Sequence, residues 1–444
     1  MQNRYVKRSF GDAIFVFDPQ TQSSLFVEGT LASLVPVFME NPKIPVSPNH
    51  LVEVPRIGMK KAKSDAELVR KAVRDFLVSA QGGSSSRKIA SVSSGSEESP
   101  MRRLSAYAVK NWRIINVSIE VTYRCNLRCE WCYLGKCTKT CLQREQLQST
   151  ADQLLKVGAL FILFTGGETF CRKDIFDVMA DFQARGFILE AKSNGLLLSR
   201  CAIKKLADLN LFNLQVSIYD IERRYSPLVR RHYRFDCLMD NIRVAVTEGI
   251  PISLAVLVGK HNINSLDRYH EILQGLGVKE VSYSPYITPR RDGVLGNTRL
   301  RLSREEMEEK FYPFLEKIDG FVEPQKYRRR CKGGPVCFAG RDQIAIDPQG
   351  KVFPCLDLRV PLGNILQDGL ERILQYRQQL LKPYILGKIK KCWKCPIVRC
   401  RVKVRKPYRP AKASVAIGIR SCSSKHSKAG AGCKTPKNVP CRVD

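Results

Sequence analysis

Short apolar runs alternate with helical patterns over residues 112–285. The runs are rich in β-branched and aromatic residues, and they predict six strands at 115–121, 160–164, 188–192, 213–218, 252–258 and 279–284. Between the strands, apolar residues three and four positions apart predict helices, for example over 144–157, 173–184 and 266–276. This repeat predicts an α/β fold whose parallel strands are joined by right-handed crossovers.

The first part of the chain has a different pattern, which predicts a small α+β domain over residues 1–80. Residues 11–18 and 24–27 are rich in β-formers and are separated by a turn, so they predict a hairpin. Apolar residues at helical spacing follow over 28–40, and a later helix is predicted over 64–79.

Shifts in composition predict the remaining domain boundaries. Residues 81–110 are predicted to be a flexible Ser/Gly-rich linker, because most of them lack apolar periodicity. The strand–helix repeat defines a core domain over 111–300, and a cysteine-bearing extension follows over 301–400. Residues 401–444 form a basic low-complexity tail.

Composition narrows the class of protein. The chain has 444 residues, of which 44% are hydrophobic and 26% are charged, as in globular proteins of more than one domain. No stretch approaches the roughly 20 apolar residues of a membrane span, and no apolar signal segment follows the basic start. We therefore expect a cytoplasmic protein without a membrane partner. In that compartment, 17 cysteines indicate metal or redox chemistry rather than disulfides.

The net charge of +32 leaves nucleic acid or an acidic partner open. The last 44 residues carry twelve Lys or Arg and one Asp, about a third of the excess. A solvated basic tail is the favoured interpretation, so nucleic acid is an unlikely partner.

Three cysteines lie close together directly after the first predicted strand of the core. Cys125, Cys129 and Cys132 fall within eight residues. A structural zinc site or a cubane iron–sulfur cluster normally has four protein ligands, so three thiolates suggest a cluster with one open iron. The alternative is a zinc knuckle or three unrelated thiols. In α/β barrels, such strand-end loops carry the chemistry.

A second motif, Gly166-Gly167-Glu168, follows the second predicted strand of the core. Two glycines let the backbone approach a ligand closely, and a carboxylate can accept hydrogen bonds from an ammonium group. Such turns are common, and this one is informative because of its place after the three-cysteine loop.

Together these motifs resemble the radical SAM family, whose signature is CxxxCxφC with an aromatic φ, here Trp131. The resemblance implies a partial (β/α)6 barrel, a [4Fe-4S] cluster on the three cysteines, and S-adenosylmethionine. It also implies that Gly166, Gly167 and Glu168 hold the amino group of that cofactor. Further cofactor contacts are implied for Trp131, Tyr133, Ser193, Asn194 and Ser217. For Ser193, Asn194 and Ser217, the alternative is an ordinary polar residue at a strand end. The loop at 223–235 departs from the family pattern, so no cofactor contact is assigned there.

The C-terminal cysteines resemble the SPASM extension of radical SAM enzymes that act on peptides and proteins. The resemblance implies one or two auxiliary [4Fe-4S] clusters, and their implied ligands are Cys331, Cys337, Cys355, Cys392, Cys395 and Cys400. Four such thiolates could instead build a zinc ribbon. The spacing around Cys400 departs from the family pattern.

The N-terminal hairpin and helices resemble, at the level of pattern, the PqqD-like (winged-helix-type) domain of peptide-maturing enzymes. In that family a leader peptide adds as a strand to a sheet edge. The whole chain therefore resembles a radical SAM/SPASM maturase of a ribosomally made peptide (RiPP). Such an enzyme cleaves S-adenosylmethionine to a 5′-deoxyadenosyl radical, abstracts hydrogen from a precursor peptide and installs a crosslink or other oxidative change.

The implied partners are a precursor peptide with a leader and an electron donor, either a reductase or a flavodoxin or ferredoxin. Three alternatives stay open at this point. One is an enzyme that modifies proteins, like the anaerobic sulfatase activators. The others are an enzyme that modifies RNA, and an inactive iron–sulfur scaffold that binds peptide.

Overall fold

The structure is a computed structural model. It describes residues 4–46, 59–81, 99–134, 141–221, 229, 233–287, 290–291, 299–319 and 339–385. Everything below concerns those residues. No helix within these ranges is long and apolar enough to cross a membrane.

A large sheet of nine strands forms the centre of the described chain. Six neighbouring parallel strands confirm the predicted repeat: β4 (Asn116–Thr122), β5 (Phe161–Gly166), β6 (Ile188–Ser193), β7 (Asn213–Ile218), β8 (Ile252–Leu257) and β9 (Glu280–Ser284). They lie side by side in chain order, so all their carboxyl ends meet along one edge of the sheet.

The five crossover helices pack on one face of this sheet. They are α4 (Arg144–Lys156), α5 (Ile175–Ala184), α6 (Arg200–Asp208), α7 (Phe235–Thr247) and α8 (Leu266–Gln274). Alternate strand residues, such as Val117 and Ile119 in β4 and Leu189 and Ala191 in β6, join them in the main apolar core. The intervening strand residues point to the opposite face, which we call the open face.

Three further strands extend the sheet beyond β4. The sequence of residues 338–350 predicts a strand and a turn, but it does not indicate their pairing with β4. Strand β10 (Gln343–Ile346) pairs parallel with β4, with Ile346 opposite Ile119. Strands β11 (Lys351–Phe353) and β12 (Gly363–Asn364) continue antiparallel. Further helices complete this part of the chain: α9 (Arg304–Glu306), which continues into a π-helix at Met307–Phe311, α10 (Tyr312–Asp319), α11 (Ile365–Asp368) and α12 (Leu370–Ile385).

The N-terminal part forms a separate antiparallel sheet. The predicted hairpin is present as β2 (Ala13–Phe17) and β3 (Ser24–Glu28), and an additional strand, β1 (Val6–Ser9), pairs with β2. The sequence does not predict β1 because Lys7 and Arg8 interrupt the apolar pattern by which a strand is identified. One face of the sheet packs on α1 (Leu34–Glu40), which follows a 3-10 turn at Thr30–Ser33, and on α2 (Met59–Gln81).

The predicted linker contains a helix, which corrects the linker prediction for Pro100–Asn111. Helix α3 spans these residues and buries Leu104, Tyr107 and Ala108. The Ser-rich composition ends at Pro100, which occupies the first helical position, where its missing N–H carries no cost. Apolar residues at helical spacing then provide a face to bury.

Through α3, the N-terminal sheet is fixed to the large sheet. Phe15 and Phe17 of β2 pack with Leu104 and with Phe161 and Ile188, which begin β5 and β6. The Arg8 side chain also donates to the carbonyls of Ala159 and Gly186, at 3.1 and 2.8 Å. The small sheet therefore lies at the amino ends of the parallel strands, opposite the edge that carries the three-cysteine loop.

Candidate functional site

The cluster loop, which we define as residues 123–133, begins where β4 ends and contains the three cysteines. Cys125, Cys129 and Cys132 are half-buried. The main-chain N–H of Cys132 donates to the carbonyl of Cys129 at 3.1 Å, which closes a turn between them. The N–H of Leu127 points at the sulfur of Cys125, at 3.4 Å. The structure thus places all three predicted ligands on one short loop at the carboxyl edge of the sheet.

The surroundings of Cys125 disfavour its thiolate form. Burial raises the pKa of its thiol to about 12, and nearby Glu168, Cys171 and Cys132 add to the increase. A metal or cluster must therefore displace the proton when it binds. The N–H of Leu127 opposes the increase and stabilises the thiolate.

The donor set fits an iron–sulfur cluster. No three His, Cys, Asp or Glu side chains in the described ranges lie close enough together to hold a single metal ion. In a cubane cluster each thiolate binds a different iron, so its ligands stand farther apart than the ligands of one ion. Three soft thiolates on one loop have the chemistry that such a cluster requires.

Gly166 and Gly167 hold the end of β5 tightly against the cluster loop. A Cβ at Gly166 would lie 2.2 Å from the carbonyl oxygen of Thr122, and a Cβ at Gly167 would lie 2.3 Å from that of Arg124. Gly166 also has φ +132°, a conformation that favours glycine. Both glycines therefore let the two backbones touch, and the N–H groups of Gly167 and Glu168 donate across the contact at 2.8 and 2.9 Å.

Glu168 is a buried carboxylate whose bonded partners are neutral. Its Oε1 accepts from the N–H of Phe170 at 3.1 Å and from the hydroxyl of Ser193 at 2.8 Å. Its Oε2 accepts from the N–H of Asn194 at 2.7 Å. Burial raises its pKa, and these donors oppose the increase. A buried carboxylate that bonds to no cation among the described residues is well suited to pair with an ammonium group, such as that of S-adenosylmethionine.

Ser193 and Asn194, at the end of β6, join this group. Besides the bonds to Glu168, the side-chain amide of Asn194 donates to Asn126 in the cluster loop at 2.7 Å. Ser217 lies on the open face of the neighbouring strand β7, directly after Val216, which pairs with Ser193, and it hydrogen-bonds to the hydroxyl of Tyr219. Ser193 and Asn194 bond to Glu168, and Ser217 lies near the end of the adjacent strand.

The two aromatic residues of the cluster loop have different surroundings. Trp131 is buried between Tyr219, at a centroid distance of 5.2 Å, and His261, whose ring is nearly parallel at 5.7 Å. Burial lowers the pKa of His261, which favours the neutral ring. The hydroxyl of Tyr133 instead lies 3.3 Å from Glu120. A cofactor contact of Tyr133 would therefore have to come from its ring or backbone.

Of the predicted auxiliary ligands, Cys355 is the one in the described part of the chain. It lies in residues 354–361 between β11 and β12, which we call the Cys355 loop, and its sulfur accepts from the N–H of Leu358 at 3.2 Å. The other predicted ligands lie outside the described residues: Cys331, Cys337, Cys392, Cys395 and Cys400.

Sequence reasoning missed several residues that the structure places at the site. Glu120 is fully buried on the open face of β4 and binds Arg291 and Arg359 from distant parts of the chain. A glutamate in the middle of an apolar strand was the available signal, because a buried charge requires partners. Cys171 lies near enough to Cys125 to affect its pKa, and only its position after Glu168 hinted at that.

The open face next to the site is polar and partly accessible. On β6 it carries Glu190 and Lys192, and on β7 it carries Gln215 and Ser217, all half-buried. Burial raises the pKa of Glu190 and lowers the pKa of Lys192. A surface of this kind can hold a polar substrate close to the cluster loop.

Comparison with known families agrees with this geometry. Residues 119–273 match the model of the radical SAM superfamily, and residues 337–396 match that of SPASM, an iron–sulfur cluster-binding domain. The chain thus carries a radical SAM domain followed by a SPASM domain. These matches confirm the predicted cofactors, a [4Fe-4S] cluster with S-adenosylmethionine and auxiliary iron–sulfur clusters.

Two curated relatives resemble part of the chain. The PqqA peptide cyclase of Granulibacter bethesdensis is 25% identical over 256 residues, which are 53% of this chain and 66% of that protein. The Fe-coproporphyrin III synthase of Methanosarcina barkeri is 26% identical over 186 residues, 41% of this chain and 47% of that protein. The chain thus spans slightly under two thirds of the first relative and about half of the second.

Among solved structures, SuiB of Streptococcus suis shares the fold. Its crystal structure bound to the precursor peptide SuiA superposes with a TM-score of 0.50 and 13% identity, and covers 86% of this chain and 87% of that chain. Its structure bound to S-adenosylmethionine gives a TM-score of 0.51 with 12% identity, over 83% and 86% of the two chains. This likeness confirms the α/β radical SAM fold.

Proposed function

We propose that this chain is a radical SAM enzyme that modifies a ribosomally made precursor peptide by net oxidation, such as formation of a crosslink. The observation that carries the proposal is the three-cysteine loop packed against Gly166-Gly167-Glu168, with a SPASM domain downstream. Relatives named as a peptide cyclase and as a protein bound to a precursor peptide support a peptide substrate.

The chain's own residues would organise the site as follows. Cys125, Cys129 and Cys132 would hold the cluster, and Glu168 would pair with the amino group of S-adenosylmethionine. When bound, these groups supply a 5′-deoxyadenosyl radical that abstracts hydrogen from the peptide. The polar open face at Lys192 would position the peptide.

The N-terminal sheet is our candidate for leader recognition as a PqqD-like domain. Among the strands that the structure describes, β3 has one edge without a partner, and it lies beside α2 and α3, with Arg103 of α3 at 3.2 Å from Glu28. An extended leader could add along that edge by main-chain hydrogen bonds. An electron donor, either a reductase or a flavodoxin or ferredoxin, would reduce the cluster, and we place the reaction in the cytoplasm, where thiols stay reduced.

The test is anaerobic reconstitution with iron and sulfide, followed by S-adenosylmethionine, a reductant and candidate precursor peptides. We expect 5′-deoxyadenosine from the wild type, and a peptide product lighter by about two hydrogens, as net oxidation requires. The Cys125→Ala variant should form neither product, whereas Cys201→Ala, which changes an exposed thiol, should form both. If Cys125→Ala still made 5′-deoxyadenosine, the proposal would be wrong.

A further inference from the structure

One buried carboxylate joins distant parts of the site. Glu120, on the open face of β4, accepts from the hydroxyls of Tyr123 and Tyr133 at 3.0 and 3.3 Å. It also accepts from both terminal nitrogens of Arg291, at 3.1 and 2.6 Å, and from Nη2 of Arg359 at 2.8 Å. Four side chains therefore converge on a single carboxylate, and we call these five residues the Glu120 network.

The network links three segments that are far apart in sequence. Tyr123 and Tyr133 lie at the two ends of the cluster loop, and Tyr133 directly follows Cys132. Arg291 follows β9, and its main-chain N–H donates to the carbonyl of Tyr133 at 2.8 Å. Arg359 belongs to the Cys355 loop, four residues beyond the cysteine. A hydrogen bond from Arg359 thus ties the Cys355 loop to the strand from which the cluster loop begins.

Charge makes this carboxylate hard to replace. The side chain of Glu120 is 0% exposed, and those of Arg291 and Arg359 are 17% and 19% exposed. Within the described residues, Nε of Arg291 and Nη1 of Arg359 are buried and donate to no hydrogen-bonding partner. Without Glu120, two guanidinium groups would face each other in a site with little water, which is strongly unfavourable.

Ring contacts orient the two arginines. The guanidinium carbon of Arg291 lies 4.5 Å from the centre of the Tyr133 ring, and that of Arg359 lies 3.8 Å from the centre of the Phe353 ring. Phe353 ends β11, directly before the Cys355 loop, so Arg359 is held from both sides. Planar guanidinium groups suit this combination of a ring contact and a carboxylate contact better than lysine does.

We propose that Glu120 is a positioning residue, which fixes the Cys355 loop against the cluster loop so that the two cysteine-bearing loops keep one relative arrangement. The meaning for catalysis rests on the proposed function, because it requires clusters on both loops. The contact itself is a property of the chain and can be tested without any metal.

The first test uses the full chain without metal, under anaerobic conditions, and measures how fast each cysteine is alkylated by N-ethylmaleimide. We expect Glu120→Gln to raise the rate at Cys355 by at least tenfold and to raise the rate at Cys132. The rates at Cys201, which is exposed, and at Cys237, in α7, should stay unchanged. An unchanged rate at Cys355 would overturn the proposal, whereas an equal rise at Cys237 would show general loosening, which the double variant Glu120→Gln/Arg359→Gln resolves.

A second variant keeps the test sharp if Glu120→Gln loosens the whole protein. Arg359→Gln removes one of the two cations, so the double variant Glu120→Gln/Arg359→Gln should alkylate Cys355 more slowly than Glu120→Gln alone. Simple additivity of the two effects would contradict the network. The control is Asp181→Asn, which breaks a surface pair with Arg144 at 2.7 and 2.9 Å and should leave Cys355 unaffected.

The two proposals can fail separately. Iron and sulfide content after reconstitution, together with 5′-deoxyadenosine formation, tests the function. Thiol alkylation of the metal-free chain tests the Glu120 network. If the wild type takes up no iron but the alkylation rate at Cys355 still depends on Glu120, the proposed function is wrong and the positioning role stands. If iron is bound and the alkylation rate at Cys355 is the same in Glu120→Gln as in the wild type, the positioning role is wrong.

Discussion

The hydroxyl of Ser193 donates to Oε1 of Glu168 at 2.8 Å, and this bond joins the ends of two neighbouring strands of the parallel sheet. The next residue, Asn194, donates its main-chain N–H to the other carboxylate oxygen. Both oxygens of Glu168 are thereby oriented before any ligand binds. Such preorganisation reduces the cost of ordering the site when a cofactor arrives.

Replacing Glu168 with glutamine should weaken the binding of S-adenosylmethionine. The variant keeps the size of the side chain but removes the charge that would pair with the cofactor's ammonium group. A hydrogen bond to a charged group contributes about 1.5–3 kcal/mol, so we expect affinity to fall roughly 10- to 150-fold. Equilibrium dialysis of the reconstituted protein with labelled cofactor measures this.

The control for that variant separates cofactor binding from cluster assembly. Iron content of Glu168→Gln should match the wild type, because the three thiolates are untouched. Glu280→Gln, at an exposed position on β9, should leave both iron content and affinity unchanged. Equal affinities for Glu168→Gln and the wild type would show that the carboxylate does not hold the cofactor.

A methyl group at Gly167 should disrupt the cluster loop. Its Cβ would lie 2.3 Å from the carbonyl oxygen of Arg124 and 2.9 Å from the carbonyl carbon of Tyr123, both backbone atoms that cannot rotate away. Overpacking of this kind costs about 1–3 kcal/mol or more. We expect Gly167→Ala to lower both the urea midpoint of unfolding and the iron content after reconstitution.

Gly275→Ala is the matched control for Gly167→Ala. Gly275 follows α8 with φ −70°, and a Cβ there would meet no atom within 4 Å. This variant should change the free energy of unfolding by less than about 0.5 kcal/mol and retain wild-type iron content. If Gly167→Ala behaved like Gly275→Ala, the close contact between the two backbones would not matter for the cluster.

The sequence predicts the parallel strands well because their signal is local. Each of β4 to β9 is a short run, apolar or alternating, that one window of residues reveals, and Gly166-Gly167-Glu168 is identified by its place after such a run. The pairing of β10 with β4 and the bond from Arg359 to Glu120 join residues more than 200 positions apart. No local pattern encodes those contacts, since they depend on which sheet edge is left uncovered after folding.

The linker prediction is wrong at its C-terminal end for a related reason. Composition identifies the Ser-rich stretch before Pro100, but the apolar face of α3 is short, and its partners Phe15 and Phe161 come from two other parts of the chain. Tertiary burial decides that this segment is helical and fixed to both sheets.

The stability of the metal-free protein should depend on pH through the carboxyl group of Asp342, which lies directly before β10. Burial raises the pKa of its carboxyl to about 6, and Oδ1 has no hydrogen-bonding partner among the described residues. The folded state therefore binds a proton that the unfolded state has already released between about pH 4 and pH 6. The free energy of unfolding should fall as pH rises through this window, by up to about 3 kcal/mol at about 1.4 kcal/mol per pKa unit.

Asp342→Asn should remove this pH dependence. We expect the variant to be more stable than the wild type at pH 7.5 by about 1–3 kcal/mol, and to lose that advantage at pH 4. Urea unfolding between pH 4 and pH 8 measures the difference. Asp240→Asn, which alters an exposed residue of α7, should follow the wild-type curve. A wild-type stability that rises between pH 4 and pH 6, or an Asp342→Asn curve with the same slope, would contradict the prediction.

The position of the N-terminal sheet sets a minimum spacer in any precursor peptide that binds there. The sheet packs at Phe161 and Ile188, where two parallel strands begin, whereas the cluster loop follows the end of β4. Strand β4 has seven residues and so spans about 20 Å at roughly 3.3 Å per residue. A leader bound at the small sheet must therefore be separated from the modified residue by at least about six extended residues.

Precursor variants with shortened spacers test this geometry together with the proposed role of the sheet. We expect modification to stop abruptly when the spacer falls below about six residues, while binding of the same peptides to the full chain keeps its affinity, since the leader itself is unchanged. Mass analysis gives the first result and fluorescence anisotropy of labelled peptides gives the second. Full modification with a spacer of two residues would show that the leader binds elsewhere, nearer the cluster loop.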